Sequence, residues 1–385
     1  MAKKVGADAG NNALKMEVEN DKLIYIPSVY AQYEESLVED LNPQEIDIDK
    51  LEDNLDMTFC SPALEINNVR LVVGKKVKTD GLFPNEMENK SDKSKDEIPV
   101  IVTLAGLAVS AMRSNPTATN IKIKYDLAIA LPINFINSEN LARNEKRFTG
   151  THIVIFHHPT GKDVKIEMEI QFCKCLPEGA SAVWGVCFNE KGEEIFREVE
   201  KEDGTIEKIN FLNTLNLLFD IGAGTTEVVL TEGLNFRPKL SKGLNYGTKE
   251  FINKYIDQWN NTHPGKEIQS FAEFNEIYFD SEQSRHNAVV SSFGPTQQAI
   301  ALNLQKEIIN KMDSIKDEHF VFIFGGGAAL IEKQLKEILT KKNRIRNVIF
   351  LKDPMYVNAR GLLVYACSPR YNQLKEQALT VINNG

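Results

Sequence analysis

The stretch that decides the fold reads LNLLFDIGAGTTEVVLT and spans residues 215–231. Its first five residues, 215–219, are almost all apolar and predict a short buried strand, and residues 227–231 predict a second strand. Between the two strands lies a turn rich in glycine and threonine, which begins with Asp220 and ends with Thr226. Because glycine tolerates positive φ and lets a backbone approach a ligand closely, this hairpin is a candidate binding turn.

A similar arrangement opens the chain. Residues 4–7 and 14–18 predict two strands around a turn. The polar and glycine residues of this turn, with one lysine on the outgoing strand, are Asp8, Gly10, Asn11, Asn12 and Lys15. Since the strand–turn–strand pattern restarts in the second half, among mixed strands and helices, we expect two similar α/β halves.

A third glycine-rich turn, Gly325-Gly326-Gly327, follows an apolar strand predicted over 321–324. The chain then passes through Ala328 into a predicted helix over 329–340. The N-terminus of a helix carries partial positive charge and attracts anions. Each of the three turns could be an ordinary tight connection, but their joint occurrence and order favour phosphate binding.

The aspartates that open the first two turns have no obvious neutralising partner in the local sequence. A carboxylate beside a phosphate-binding turn repels the phosphate unless a cation lies between them, and Mg²⁺ held mainly through water fits that role. Asp8 and Asp220 facing each other across a cleft therefore predict a bound Mg-nucleotide. Lys15 could reach its β- or γ-phosphate, and Thr225 and Thr226 could donate hydroxyl hydrogen bonds.

The remaining segments complete the two halves. The apolar stretch over 100–112 predicts a buried helix, and further helices are predicted over 248–260, 297–313 and 358–367. Residues 75–97 are poor in apolar side chains and rich in Lys, Asp, Glu and Asn. This composition predicts a mobile surface loop or hairpin tip without a ligand.

The composition is typical of a soluble globular protein, with 385 residues, 42% hydrophobic and 26% charged. A net charge of -9 argues against a protein built around the phosphate backbone of DNA. The sequence shows neither an apolar run long enough to span a bilayer nor a signal peptide, so we expect a cytoplasmic protein. The 5 cysteines are scattered and indicate reduced thiols rather than a zinc site.

In their order and spacing, the three turns resemble the phosphate-1, phosphate-2 and adenosine motifs of the actin, Hsp70 and sugar-kinase superfamily. Two further segments are similar to the bacterial plasmid-segregation actins of the ParM/StbA type. Residues 176–180, Leu-Pro-Glu-Gly-Ala, resemble the segment that carries the catalytic glutamate of that group, and residues 356–361, Tyr-Val-Asn-Ala-Arg-Gly, resemble its closing helix. Asn11 and Asn12 depart from the Ser and Gly of many actins, and Ala223 replaces a common Gly.

The resemblance implies an α/β fold with two similar actin-like (RNase H-like) domains that flank a nucleotide cleft, each with a smaller subdomain. Domain I would span residues 1–210, with 33–98 as its smaller subdomain and 356–385 returning to it. Domain II would span 211–355, with about 245–292 as its smaller subdomain.

The resemblance also implies the role of each site residue. The expected catalytic residues are Glu178, Asp220 and Asp8. Glu178 would position or polarise the attacking water, Asp220 would help to orient that water and the metal shell, and Asp8 would organise the Mg²⁺ shell. Both aspartates would hold the metal through water. Phosphate chemistry of this kind depends on charge neutralisation and an oriented water more than on covalent steps. The residues expected to bind ATP or GTP are Asp8, Gly10, Asn11, Asn12, Lys15, Gly222, Ala223, Gly224, Thr225, Thr226, Gly325, Gly326, Gly327 and Ala328.

The implied function is that of a Mg-dependent actin-like ATPase or GTPase that polymerises on nucleotide binding and segregates plasmid DNA. Hydrolysis would then destabilise the filament. The acidic chain would reach DNA through a basic DNA-binding adaptor, with no direct DNA contact and no membrane. A small-molecule kinase and a non-polymerising nucleotide-dependent scaffold with the same cleft are the alternatives.

Overall fold

The computed structural model divides into two compact units. Unit 1 comprises Met1–Glu193 and Asn358–Gly385, and unit 2 comprises Glu194–Val357. The residues that the structure describes are 1–33, 47–87, 93–189, 191–200 and 205–383.

Within the described residues, unit 1 is built on one mixed sheet of ten strands. In chain order these are β1 (Lys3–Ala9), β2 (Ala13–Val18), β3 (Ile24–Pro27), β4 (Val29–Gln32), β5 (Leu55–Cys60), β6 (Val69–Val73), β7 (Asn85–Glu86), β8 (Asn120–Leu131), β9 (Gly150–Phe156) and β10 (Val164–Pro177). They lie side by side in the order β3-β2-β1-β8-β10-β9-β5-β6-β4-β7.

The centre of this sheet brings the first turn and Glu178 to the same edge. β1 pairs with β8 in parallel, and β8 pairs with β10 in parallel, so all three strands end on one side. The first turn follows β1, and Glu178 directly follows β10. Ligands of open α/β sheets bind at such carboxyl ends, because the connecting loops project there.

The helices of unit 1 in this part of the chain are α1 (Lys75–Thr79), α2 (Ile98–Ser114), α3 (Ser138–Phe148) and α4 (Ala182–Cys187). The buried helix predicted over 100–112 is confirmed by α2, whose residues from Ile98 to Met112 are buried. A helix that is apolar on every face has to pack inside the core. Gly106 lets α2 approach β2 closely, since a Cβ there would lie 2.9 Å from Leu14 Cδ2.

The mobile surface loop predicted over 75–97 is wrong for much of the segment. α1 and β7 lie within it, and the side chains of Lys93 and Ser94 are buried. Residues 88–92 of this prediction lie outside the described residues. A polar composition is typical of solvated loops, but it is equally compatible with a segment whose polar groups find partners inside the protein.

Unit 2 contains a smaller mixed sheet and a separate hairpin. Its strands are β11 (Arg197–Glu200), β12 (Ile206–Ile209), β13 (Leu215–Ile221), β14 (Thr226–Glu232), β15 (Asn235–Phe236), β16 (Lys242–Leu244), β17 (His319–Phe324) and β18 (Val348–Phe350). β11 and β12 form the hairpin, and the sheet has the order β15-β14-β13-β17-β18, with β16 paired to β14. β13 pairs antiparallel with β14 and parallel with β17, as β1 does with β2 and β8.

The helices of unit 2 are α5 (Lys249–Thr262), α6 (Phe271–Phe279), α7 (His286–Ser314) and α8 (Gly326–Lys341). An aromatic cluster joins the first three, since the rings of Tyr255, Phe274 and Phe293 lie 4.8 to 5.7 Å apart. The helix predicted over 297–313 begins too late, because α7 already starts at His286 and contains Pro295. Proline is typical of the first turn of a helix.

The chain ends in α9 (Val357–Cys367) and α10 (Pro369–Asn383), which return to unit 1. α9 lies directly against β1, since a Cβ on Gly6 would come within 2.3 Å of the Ala359 carbonyl oxygen. The buried Tyr371 hydroxyl of α10 bonds the carbonyls of Leu127 and Phe172. Among the described residues, every helix is too short or too polar to cross a lipid bilayer.

Candidate functional site

The first turn places a buried carboxylate beside a lysine. Asp8 is the last residue but one of β1 and is in register with Lys15 of β2. Only 7% of Asp8 is exposed. The Lys15 ammonium lies over the turn, because a Cβ built on Gly10 would be 3.5 Å from Lys15 Nζ. The tighter contact of a Cβ at position 10 would be with the Ala13 carbonyl oxygen, at 3.1 Å.

The backbone carbonyls of the first turn accept hydrogen bonds from within the protein. The amide of Gly10 donates to the carbonyls of Asp8 and Ala13, which closes the turn. Ser28 bonds the other side, with its hydroxyl donating to the Gly10 carbonyl and its amide to that of Asn12. Among the described residues the amides of Asn11 and Asn12 donate to no protein acceptor. Consecutive amides of this kind can form an anion-binding nest.

Glu178 lies at the same edge of the unit 1 sheet. Its amide donates to the Leu131 carbonyl at 2.7 Å, which extends the β8–β10 pairing by one residue. Its carboxylate is buried and accepts a hydrogen bond from Lys93 Nζ at 2.6 Å. The pKa of the Glu178 carboxyl is raised overall: burial raises it most, the Lys93 ammonium opposes this rise, and the charge of Asp8 adds to it.

Asn358 of α9 holds the segment that follows Glu178. Its Oδ1 accepts hydrogen bonds from the Gly179 amide at 3.3 Å and from the Ser181 hydroxyl at 3.1 Å. Gly361 allows the helix to approach, since a Cβ there would come within 2.1 Å of the Ser181 carbonyl oxygen. The returning helix thus fixes the backbone that presents the glutamate.

We predict that Asn358→Ala lowers the free energy of unfolding by about 1–3 kcal/mol, because two buried donors lose their acceptor. Denaturant titration followed by circular dichroism measures this change. Asn372→Ala on the neighbouring helix is a suitable control, because that side chain bonds Lys4 at the exposed surface. An Asn358→Ala protein as stable as the wild type would contradict the anchoring role.

The second turn has the same construction in unit 2. Asp220 is the last residue but one of β13, as Asp8 is of β1. The Gly222 amide donates to the Thr225 carbonyl and closes the turn. In the described part of the chain, the amides of Ala223 and Gly224 donate to no protein acceptor. The partly exposed turn therefore presents a second pair of amides that could bind an anion.

The N-terminus of α5 is hydrogen-bonded to the second turn. The amides of Thr248 and Lys249 donate to the carbonyls of Gly222 and Ala223. A Cβ on Gly247 would come within 2.4 Å of both carbonyl oxygens, so only glycine fits there.

Thr226, expected to donate its hydroxyl to a phosphate, is buried and donates that hydroxyl to the Tyr246 carbonyl instead. The structure therefore gives the single hydroxyl proton of Thr226 an acceptor inside the protein. The neighbouring Thr225 is partly exposed and lies in the turn itself.

The third turn packs against the second. Gly325 has φ of 97°, and a Cβ there would lie 2.5 Å from Asp220 Oδ1 and 2.4 Å from the Ile221 carbonyl oxygen. Its amide donates to the Pro354 carbonyl. A Cβ on Gly327 would meet Ile221 Cγ2 and Thr248 Cγ2, each at 2.7 Å. Close backbone packing in unit 2 thus requires glycine at both positions.

The predicted site residues fall into two groups. Unit 1 brings together Asp8, Gly10, Asn11, Asn12, Lys15 and Glu178, and unit 2 brings together Asp220, Gly222, Ala223, Gly224, Thr225, Thr226, Gly325, Gly326, Gly327 and Ala328. Lys93 is not among the site residues predicted from the sequence. It lies in the segment over 75–97 that predicts a mobile surface loop. Nothing in the local sequence distinguishes this lysine from its charged neighbours.

The carboxylates suit a metal that takes few protein ligands. In the residues described, no group of three or more His, Cys, Asp or Glu side chains could hold a metal ion. Mg²⁺ keeps several waters and is usually held by one or two carboxylates together with substrate phosphates. One aspartate beside each of the two turns fits that requirement.

Two family models match the chain. Residues 6–180 match the N-terminal domain of actin like proteins. Residues 218–337 match the C-terminal domain of the archaeal actin homologue MreB-like family. No curated protein matches the sequence.

Solved structures share the fold over nearly the whole chain. The actin-like protein Alp7A has a TM-score of 0.69 at 17% identity and covers 100% of both chains. Bacillus thuringiensis ParM with ATP has a TM-score of 0.67 at 17% identity and covers 97% of this chain and 99% of its own. A non-polymerisable quadruple mutant of pCBH ParM has a TM-score of 0.61 at 16% identity and covers 95% and 99%.

Proposed function

Because this chain belongs to the actin-like proteins, we propose that it is a Mg-dependent nucleoside triphosphatase that binds ATP, or GTP, and polymerises in response. The observation that carries the proposal is the repetition of one phosphate-binding design. Each unit has a hairpin with an aspartate at the same strand position and two amides available to an anion. Amides in this arrangement bind phosphate without a net positive charge on the protein.

Each group of site residues has a separate role in binding and hydrolysis. The amides of Asn11 and Asn12 and of Ala223 and Gly224 hold phosphate oxygens, and the Lys15 ammonium neutralises part of the charge. When bound, Mg²⁺ would neutralise charge that develops on the phosphates. Asp8 and Asp220 are the carboxylates that would hold it through water.

Glu178 accepts a hydrogen bond from the attacking water and orients it toward the γ-phosphate. The third turn, with Gly325, Gly326, Gly327 and Ala328, packs against the adenosine. That both phosphate turns serve one nucleotide remains a prediction from the sequence.

We extend the proposal to self-association. One structure with the same fold is described as a non-polymerisable quadruple mutant of pCBH ParM. A heterologous contact that does not close into a ring gives an open filament. We expect the triphosphate-bound state to favour the filament and hydrolysis to favour its release, as a ligand shifts an equilibrium between two states.

The biological role that fits these features is segregation of plasmid DNA in the cytoplasm. The net charge of -9 disfavours direct contact with DNA, so a basic DNA-binding adaptor would connect the filament to a centromere-like site. A small-molecule kinase would share the phosphate turns but would transfer phosphate to an added acceptor. A non-polymerising scaffold would bind nucleotide without assembly.

Nucleotide binding and turnover test the enzymatic part of the proposal. Fluorescent ATP and GTP analogues, titrated with Mg²⁺ and with EDTA, should show saturable binding that requires the metal. Phosphate release should occur without any added acceptor, which distinguishes a hydrolase from a kinase. Absence of binding to either analogue, or binding without phosphate release, would contradict the proposed activity.

A further inference from the structure

Lys93 and Glu178 form an ion pair that is almost fully shielded from solvent. Lys93 Nζ lies 2.6 Å from Glu178 Oε1, and the side chains are only 7% and 9% exposed. Lys93 also lines a pocket with Ala7 and Ala9 of β1 and Leu131 of β8. The lysine therefore reaches the sheet edge where the first turn and the glutamate meet.

Two arginines of α3 fasten the backbone that carries Lys93. Arg147 donates to the carbonyls of Ser94 and Asp96, both at 2.9 Å. Arg143 donates to the Ser94 hydroxyl at 3.1 Å. The ammonium thus extends from an anchored segment, which limits the positions that it can occupy.

A buried carboxylate needs a compensating charge to stay ionised, since removal from water favours its neutral form. An ionised carboxylate has lone pairs on both oxygens, whereas the neutral acid gives up part of that acceptor capacity. The Lys93 bond engages Oε1 and leaves Oε2 to accept a hydrogen bond from water. The contact is therefore compatible with a glutamate that orients a nucleophile.

We propose that Lys93 is a positioning residue, which keeps Glu178 ionised and fixed in orientation toward the attacking water. This role rests on the hydrolytic function proposed above. The opposite interpretation is that Lys93 blocks Glu178 until it moves away. In that case the Lys93 ammonium would have to leave the Glu178 carboxylate before hydrolysis. Its departure would leave the Glu178 charge buried without its partner.

Steady-state phosphate release by the full chain with Mg-ATP tests this role. Lys93→Met should lower kcat roughly 10- to 100-fold, the usual loss when the partner of an active-site group is removed. KM should change little, because Lys93 supports the reaction step rather than nucleotide binding. Lys93→Arg should recover much of kcat, since it retains the positive charge. Lys95→Met, in the same segment but exposed, is the matched control and should behave as wild type.

The variants separate this inference from the proposed function. A wild-type chain that releases no phosphate would contradict the function itself. A wild-type chain that does so, with Lys93→Met equally fast or faster, would overturn the positioning role and support a block. Equal losses in Lys93→Met and Lys93→Arg would also overturn it, because charge would then be irrelevant.

Thermal unfolding gives a readout that does not depend on turnover. Lys93→Met should lower Tm, because it leaves the Glu178 charge buried alone. Adding Glu178→Gln to that variant should recover part of the loss. A double variant no more stable than Lys93→Met would show that the ion pair does not form in solution.

Discussion

Glu178→Gln will remove most of the phosphate release and leave nucleotide binding in place. Glutamine has the same shape but no charge, and it is a weaker acceptor for the attacking water. Loss of a positioned acid–base group typically costs about 10²- to 10⁴-fold in rate. Phosphate release under single-turnover conditions measures the step directly, and a fluorescent nucleotide titration measures the affinity.

Glu169→Gln is a matched control for this substitution. Glu169 lies on the same strand, β10, but its side chain is 43% exposed and pairs with Lys124 at the surface. We expect this control to hydrolyse ATP at the wild-type rate. If Glu178→Gln also retained that rate, the catalytic assignment would fail.

Filaments of Glu178→Gln should persist after wild-type filaments have dissolved, because the diphosphate state is no longer reached.

Gly325→Ala will destabilise unit 2 and abolish nucleotide binding. Position 325 has φ of 97°, and the new methyl would overlap the Ile221 carbonyl oxygen and the Asp220 carboxylate. The left-handed backbone and the overpacking together should cost roughly 2–5 kcal/mol of unfolding free energy. Since the second and third turns pack directly on each other, the displaced Asp220 should also lose its place in the site.

Gly326→Ala provides the comparison for this glycine. The nearest atom to a Cβ at position 326 is Met355 Cγ at 3.9 Å, which is ordinary contact, and φ there is not in the left-handed region. This variant should unfold within about 1 kcal/mol of the wild type. Denaturant titrations of both proteins make the comparison, and equal stability of the two variants would refute the packing argument.

The two hairpins could be predicted from the sequence because their signals are local. Short runs of mostly apolar residues indicate the strands, and glycine shortly after an aspartate indicates the turn, as after Asp220. The buried helix predicted over 100–112 has an equally local signal, since nearly all of its residues are apolar. These elements also carry most of the candidate site residues.

Lys93 and α7 could not be predicted in the same way, because tertiary contacts decide them. Glu178 and the arginines of α3, which lie far away in the sequence, bond the described residues from 93 to 96 of this charged segment. α7 continues through Pro295 because residues on both sides of that position, Phe293 and Ile300, are buried in the same hydrophobic core. Local propensity does not contain this information.

High-speed sedimentation of the full chain measures directly whether the nucleotide state controls self-association. The protein is incubated at micromolar concentrations with Mg-ATP, Mg-GTP, Mg-ADP or EDTA, and the pellet is measured over time. We expect a pellet with a Mg-triphosphate, little pellet with EDTA, and loss of the pellet as the triphosphate is consumed. A pellet fraction that is the same in all conditions would contradict this expectation.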